Sequence, residues 1–191
     1  MLEAEIWGIA ETGEGYMIFI KPLNMDCTVP IFIGQLEAQA ILIGFGGITI
    51  SRPLTADILK NLISALDITL TRIEINELKD NTFFGRLVLK KSSGEELILD
   101  SRPSDALALA VRCKSAIFIA EEVVQESGIL TDDLTNSAEM SYSTEAAAQD
   151  HLFQTEETKK SILKAELDEA VETENYERAA EIRDMLKLLE K

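Results

Sequence analysis

Two short segments of the chain place an arginine, a proline and an aspartate in an order that could bind phosphate. Arg52 and the proline after it precede Asp57, and Arg102 and the proline after it precede Asp105. Each segment lies where a helical pattern begins, and the free N–H groups of a helix N-terminus favour anions, to which an arginine adds a bidentate fork. The pattern therefore predicts contacts to a phosphodiester. It equally suits an ordinary helix start, because proline fits the first turn and an early aspartate complements the helix dipole.

Other chemistries have little support in the composition. His151 is the only histidine and lies in a polar stretch, which argues against Ser-His-Asp or Cys-His catalysis, histidine-rich zinc sites and paired-histidine ribonuclease mechanisms. Cys27 and Cys113 form no CxxC pair and lie in apolar surroundings, as buried thiols of a reducing compartment do. Hydrolysis by this chain is therefore expected to depend on carboxylates, with a divalent metal ion.

The charge of the 191 residues, −16 in total, is unevenly distributed. Residues 1–114 hold 11 basic and 15 acidic side chains, whereas residues 115–158 hold 10 acidic side chains and no basic one. The Ser, Thr, Ala and acid composition of residues 131–155 has no helical or strand period and predicts a solvated linker. This acidity argues against sequence-independent binding of duplexes through counterion release, but it allows a local basic cleft.

No segment approaches the roughly 18 apolar residues of a membrane span. The first residues, MLEAE, also lack the basic start of a signal peptide. We therefore expect a soluble, cytoplasmic protein that does not act at a membrane.

The elements that must position these residues form an α+β pattern, with strands in runs and helices inserted between them. Apolar or alternating runs predict strands at 5–9, 16–20, 29–33, 68–78, 82–90, 95–100 and 116–120. Helical spacing or continuous apolar character predicts helices at 35–43, 55–66, 106–111 and 121–127. The first helix carries Leu36, Ala40 and Ile43 at helical spacing. The second carries an apolar face made of Ile58, Leu59, Leu62, Ile63 and Leu66. The third is apolar on all sides, so we predict that it is buried.

Four blocks of the first 130 residues occur in an order that resembles the bifunctional nuclease (DNase/RNase) domain family of bacteria and plants. They are VPIFIGQLEAQAI at 29–41, RPLTADIL at 52–59, LKDNTFFGRL at 78–87 and DSRPSDALALA at 100–110. The resemblance implies a compact α+β domain that often self-associates and has nuclease activity toward DNA and RNA. The chain departs from the family pattern at Ala56, where histidine is usual, and at Asn81, where glycine is usual. Asparagine tolerates the left-handed turn conformation nearly as well as glycine.

Within these blocks, the acids and arginines suit a metal-assisted mechanism, since phosphodiester hydrolysis needs carboxylates to hold a metal ion and cations to stabilise the phosphoryl charge. We predict that the acids Glu37, Asp57, Asp80 and Asp105 are catalytic, with the three aspartates binding Mg or Mn. We predict that Arg52, Arg86 and Arg102 bind the phosphate. The alternative is that Asp57 and Asp105 are helix-start acids, that Asp80 forms a turn, and that each arginine is a salt-bridge partner of one of these acids.

A helical pattern resumes over residues 156–191, with two apolar faces separated by residues 174–177, which predicts an antiparallel helical hairpin. The segment LDEAVETENYERAAEIRD at 167–184 resembles the UVR motif of the UvrB and UvrC repair proteins. A hairpin this short needs a partner surface or a copy of itself to bury both faces. The resemblance implies docking to a protein partner, and the residues expected to bind it are Tyr176, Ala179, Ala180 and Arg183; a generic dimerising tail is the alternative.

The sequence therefore predicts a nuclease domain over 1–130, an acidic linker over 131–155 and a UVR hairpin over 156–191. One functional hypothesis is a metal-assisted nuclease of DNA and RNA that the hairpin carries to its place of work. The other is a non-catalytic adaptor that forms homo-oligomers and binds a protein partner through the hairpin. Ala56 and the acidity favour the adaptor, and the four intact blocks favour the enzyme.

Overall fold

A computed structural model of the protein describes residues 1–13, 15–48 and 50–132, together with Arg183. Its strands are β1 (Leu2–Thr12), β2 (Gly15–Pro22), β3 (Cys27–Ile33), β4 (Ile68–Lys79), β5 (Thr82–Lys91), β6 (Glu96–Ser101), β7 (Ala116–Ile119) and β8 (Ile129–Leu130). Its helices are α1 (Gln35–Phe45), α2 (Thr55–Ala65), α3 (Pro103–Cys113) and α4 (Glu121–Ser127). The predicted α+β class is confirmed. Of the predicted hairpin only Arg183 is described, as an exposed helical residue; Tyr176, Ala179, Ala180 and nearly all of the linker lie outside the described residues.

The eight strands form one sheet in the order β6-β5-β4-β7-β1-β2-β3-β8. Every neighbouring pair is antiparallel except β4 and β7, which pair in parallel between Arg72–Ile75 and Ala116–Ile119. A parallel pair needs a crossover connection, which here runs through β5, β6 and α3. The crossover brings α3 onto β4 and β5 and starts it directly after β6, so the segment containing Arg102 lies at an end of the sheet.

The core lies between the sheet and α3. Residues Ala106 to Ala110 of α3 are all buried, which confirms the prediction from its continuous apolar sequence. The sheet contributes fully buried side chains, the largest of which are Phe19, Ile18, Ile20, Ile73, Ile75 and Ile119. None of the helices in the described residues has the length and apolar character that crossing a bilayer requires.

Helices α1 and α2 form where the sequence predicts them, but none of the residues predicted to form their apolar faces is fully buried. On α1 the buried residues are Ala38, Ile41 and Leu42, whereas the Leu36 side chain is 77% exposed. On α2 only Ala56 is buried, and the apolar face is exposed, namely Ile58, Leu59, Leu62 and Leu66. The face predicted for α1, with Leu36, Ala40 and Ile43, is therefore not its buried face. On α2 the apolar residues share the predicted face, but the described part of the chain leaves most of them exposed.

Candidate functional site

The N-termini of α1 and α3 meet at the side chain of Arg102. Arg102 caps α3 in an extended conformation, and Pro103 follows in the first turn. Its guanidinium donates from Nε to Oδ2 of Asp105 at 2.7 Å and from Nη2 to Oδ1 at 3.1 Å. The remaining nitrogen, Nη1, donates to Oε1 of Glu37 at 3.0 Å. One guanidinium therefore joins two carboxylates from two helices, and we call these three side chains the Arg102 cluster.

Two glycines allow the chain to approach closely at the Arg102 cluster. A Cβ atom at Gly85 of β5 would lie 3.2 Å from Cα and N of Pro103, so glycine lets the start of α3 pack against the strand. A Cβ atom at Gly34 would lie 2.3 Å from Oε2 of Glu37, because that carboxylate folds back over the first turn of α1. The free N–H groups of this turn favour the negative charge of Glu37.

The Arg102 cluster is open to solvent and carries one net negative charge. The side chains of Arg102 and Asp105 are 65% and 52% exposed, and that of Glu37 is 25% exposed. The hydrogen bond and negative charge of Asp105, followed by those of Glu37, hold the pKa of the Arg102 guanidinium above its usual range. Because the cluster is exposed, a phosphate could reach Arg102 without displacing any core residue.

Two depressions flank the ion pair between Glu37 and Arg102, and each includes both residues in its walls. The smaller depression has a volume of ≈ 300 Å³ and is lined in addition by Ile31, Phe32, Ile33, Gly34, Asn81, Thr82, Phe83, Pro103 and Ser104. The larger, of ≈ 500 Å³, also includes Asp105, and its remaining walls are Leu36, Gln39, Ala40, Ile43, Leu54, Thr55, Ala56, Leu59 and Ala108. We call the larger depression the apolar groove. Ala56, the residue that departs from the family pattern, lies in its wall.

Asp57, although its segment resembles that of Asp105, is part of a buried structural ion pair. Its Oδ1 accepts a hydrogen bond from Nε of Arg112 at 2.5 Å, and its Oδ2 accepts one from the N–H of Leu54 at 2.8 Å. The Arg112 side chain is only 4% exposed, and its Nη1 donates to the carbonyl oxygens of Ala40 and Ala108. Asp57 and Arg112 thereby tie α1, α2 and α3 together.

The pKa of Asp57 reflects this environment. Burial alone would raise the pKa of this carboxyl group, but the hydrogen bonds from Arg112 and Leu54 and the nearby positive charges outweigh burial. The pKa of Asp57 therefore lies below its ordinary value, and the group stays ionised at neutral pH. Because the arginine that holds it is buried, unlike the exposed Arg102 that holds Asp105, the carboxylate of Asp57 is suited to a structural role.

Asp80 and Asn81 form the turn of the β4–β5 hairpin. Both have positive φ angles, 49° and 58°. Two consecutive left-handed residues are characteristic of tight hairpin turns, in which Asp, Asn and Gly are favoured. Asn81 thus has the left-handed conformation that asparagine tolerates nearly as well as glycine, and Asp80 has the position of a turn-forming residue.

Arg86 and Arg52 lie outside the Arg102 cluster. Arg86 of β5 forms an ion pair with Glu74 of β4, whose side chain is buried, and Nε of Arg72 donates to the other oxygen of Glu74 at 2.7 Å. Burial favours a raised pKa for Glu74, but the two arginines outweigh it and lower that pKa. Arg52 is exposed before α2, and none of the ion pairs recorded within the described residues includes it.

The structure does not bring Asp57, Asp80 and Asp105 together. Asp57 is held by Arg112, Asp105 by Arg102, and Asp80 lies in a turn; within the described residues no three His, Cys, Asp or Glu side chains could jointly hold a metal ion. The two carboxylates that converge are those of Glu37 and Asp105. Mg²⁺ is often held by one or two carboxylates while water and substrate phosphate complete its shell, but here Arg102 already binds both oxygens of Asp105 and one of Glu37, so a metal ion would have to displace the guanidinium.

Sequence reasoning missed Arg112 as the partner of Asp57, and it missed the apolar groove. A signal for Arg112 was present, because an arginine within the apolar helix α3 is rarely buried unless it is paired. Nothing comparable pointed to the groove, since its walls come from α1, α2 and α3, which meet only in the folded chain.

Comparison with known sequences identifies the family to which this fold and these motifs belong. The sequence model of the bifunctional nuclease domain matches residues 18–132, and the chain belongs to this family. The UvrB/UvrC motif matches residues 159–191, within the predicted hairpin.

Two kinds of relatives share this sequence pattern. An uncharacterized protein of Mycobacterium tuberculosis is 34% identical over 117 residues, covering 61% of this chain and 69% of the relative. Bifunctional nuclease 1 of Arabidopsis thaliana is 26% identical over 170 residues, covering 83% of this chain and 51% of the relative. A bifunctional nuclease of Oryza minuta is also 26% identical over 170 residues, and this chain spans half of its length.

Proposed function

We propose that this protein hydrolyses phosphodiester bonds of DNA and RNA at the Arg102 cluster. The observation that carries the proposal is the convergence of separate family blocks on one guanidinium: Glu37 comes from the first block, while Arg102 and Asp105 come from the last. The names of the plant relatives support the activity, because both are called bifunctional nucleases.

The residues of the cluster have distinct roles in this proposal. Arg102 presents an exposed fork of donors to the non-bridging oxygens of the scissile phosphate. Asp105 holds two nitrogens of that fork and so orients it, and Glu37 accepts the proton of the attacking water at its carboxylate. Mg²⁺ or Mn²⁺ held by Glu37 and Asp105 would supply Lewis acidity and an activated water when bound.

Digestion of four substrates tests this function directly. Purified full-length protein is incubated with single- and double-stranded DNA and RNA, in Mg²⁺, in Mn²⁺ and with a chelator. The proposal predicts cutting that co-elutes with the protein and stops on chelation. Absence of cutting of every substrate with either metal would contradict the nuclease assignment.

Restoring the family histidine at Ala56 is expected to increase cutting. Ala56 is a buried residue in the wall of the apolar groove that Arg102 and Asp105 also line, so we expect an imidazole there to face the same groove as the proposed phosphate contact. General acid–base catalysis contributes about 10²–10⁴-fold, and we expect Ala56→His to raise kcat by at least about tenfold with a new pH dependence near about 6.5. The measurement is the pH profile of cleavage. Ala65→His, on an exposed position of the same helix, is the control and should change neither kcat nor its pH profile.

An adaptor role is the second candidate, and the exposed face of α2 favours it. Leu59, Leu62 and Leu66 follow the 3-4 spacing of a helix–helix seam, and their side chains are not covered by the described residues. Such a seam is complementary to itself, so we propose that α2 packs against α2 of a second copy. In this role residues 156–191 bind a separate protein partner through Tyr176, Ala179, Ala180 and Arg183, as the UVR match suggests.

Placing a charge in the seam is expected to separate the copies. Leu62→Glu should convert an oligomer to a smaller species, because a carboxylate would be buried where the two leucines meet. The measurement is the mass of the full chain by sedimentation over a range of concentrations. Ile98→Glu is the matched control, since the two side chains are on residues of similar exposure, 51% and 55%, but Ile98 lies on β6. A wild-type chain that is monomeric at every concentration would rule out the seam.

A further inference from the structure

The apolar groove has the composition of a site for a flat, mostly apolar group. Leu36 of α1 and Leu59 of α2 both line it, and both side chains remain substantially exposed. Its volume of ≈ 500 Å³ falls within the range of small-molecule sites, which are apolar with a few polar groups that fix orientation. Here the polar groups are the Gln39 amide and the Arg102 cluster at one edge.

The charge of the surrounding domain limits how nucleic acid can bind. Residues 1–114, which contain every groove residue, hold more acidic than basic side chains, 15 against 11. Arg102 is itself shared between two carboxylates, so the cluster has no positive charge to spare. Neutralisation of phosphates, which supplies most non-specific affinity elsewhere, is therefore weak here. Affinity must come from contacts to another part of the nucleotide.

We propose that the apolar groove binds one unstacked nucleobase of a single strand, with the adjoining phosphate at Arg102. The base faces would contact Leu36 and Leu59, and Gln39 would hydrogen-bond to the base edge. Proteins that bind single strands gain affinity by covering base faces in this way, and extrusion of a base from a duplex carries an added cost. The inference rests on the proposed function for the position of the phosphate, and it narrows the substrate class to single-stranded DNA or RNA.

An abasic probe separates base contacts from phosphate contacts. Fluorescence anisotropy is measured for a labelled oligothymidylate and for an abasic oligonucleotide of the same length and charge, with a chelator and again in Ca²⁺. We expect the abasic strand to bind at least about tenfold more weakly. We also expect a slope of log K against log salt no steeper than about −1, because one arginine meets the backbone.

Two leucine variants locate the effect in the groove. Leu36→Ala removes one wall and should weaken binding of the oligothymidylate about three- to tenfold, while leaving the abasic strand unaffected. Leu130→Ala is the matched control, because Leu130 is also an exposed leucine but lies on β8 and does not line the groove. Leu36 is 77% exposed, so its truncation should not disturb folding, which circular dichroism checks.

Equal binding of the normal and abasic strands would overturn the inference, and so would equal effects of Leu36→Ala and Leu130→Ala. Lack of binding of either strand up to millimolar protein would also overturn it. Failure of the proposed function is distinguishable, because base-dependent binding without cutting in Mg²⁺ or Mn²⁺ would reject the nuclease and leave the groove intact. Cutting together with equal binding of the normal and abasic strands would reject the base-binding groove and leave the nuclease assignment intact.

Discussion

Replacing Asp57 by alanine is expected to lower the free energy of unfolding by about 3–5 kcal/mol, because it leaves a buried arginine without its partner. Arg112 is 4% exposed, so its charge is largely removed from solvent. The Leu54 N–H also loses its acceptor at the start of α2. Urea unfolding followed by the fluorescence of Trp7, the only tryptophan, measures the change.

Two further variants show whether the loss comes from the unpaired charge. Asp105→Ala removes the corresponding aspartate of the other segment, but its ion pair is exposed, so the cost should stay below about 1 kcal/mol. Combining Asp57→Ala with Arg112→Met should recover part of the lost stability, since an apolar side chain can replace a buried ion pair. Equal losses for Asp57→Ala and Asp105→Ala would contradict the structural role of Asp57.

Replacing Asp105 by asparagine is expected to reduce cleavage at least about 100-fold while leaving stability almost unchanged. The carboxylate binds two nitrogens of Arg102 and is one of the two that converge on this guanidinium. Asparagine keeps the shape of the aspartate side chain but loses its negative charge. It therefore holds the Arg102 guanidinium less firmly and offers no anionic ligand to a metal ion. The measurement is the initial rate on a labelled single strand in Mg²⁺.

Glu96→Gln is the matched control for this loss of charge. Glu96 is an exposed acid of β6 that lies outside both depressions, so its neutralisation should leave the rate unchanged. If Asp105→Asn cuts as fast as Glu96→Gln does, Asp105 has no part in catalysis.

The comparison of Asp57 with Asp105 shows what the sequence could and could not reveal. Both residues follow an Arg-Pro pair in the first turn of a helix, and that local similarity was visible from the start. Their partners differ, however: Asp105 binds Arg102 three residues away, while Asp57 binds Arg112, which is 55 residues away. Only the packing of α2 against α3 determines the second pairing, so spacing alone could not separate a structural acid from a candidate catalytic one.

For the helices and strands too, the sequence revealed only what depends on local residues. The period of the apolar residues predicted the antiparallel meander β4–β6 and the buried helix α3, because each depends on its own local sequence. The parallel pairing of β4 with β7 depends on how the crossover closes, which no local pattern records. The exposed faces of α1 and α2 likewise required the folded chain, since periodicity does not show whether a face is covered.

The most direct test of the account is a double-mutant cycle on the Arg102 cluster. Cleavage rates are compared for wild type, Glu37→Gln, Asp105→Asn and the double variant, each verified as folded by the fluorescence of Trp7. If the two carboxylates act as one catalytic unit around Arg102, the double variant should lose little more activity than either single variant, because residues that act together are non-additive. Losses that multiply, or rates that stay at the wild-type level, would contradict the assignment of this cluster as the active site.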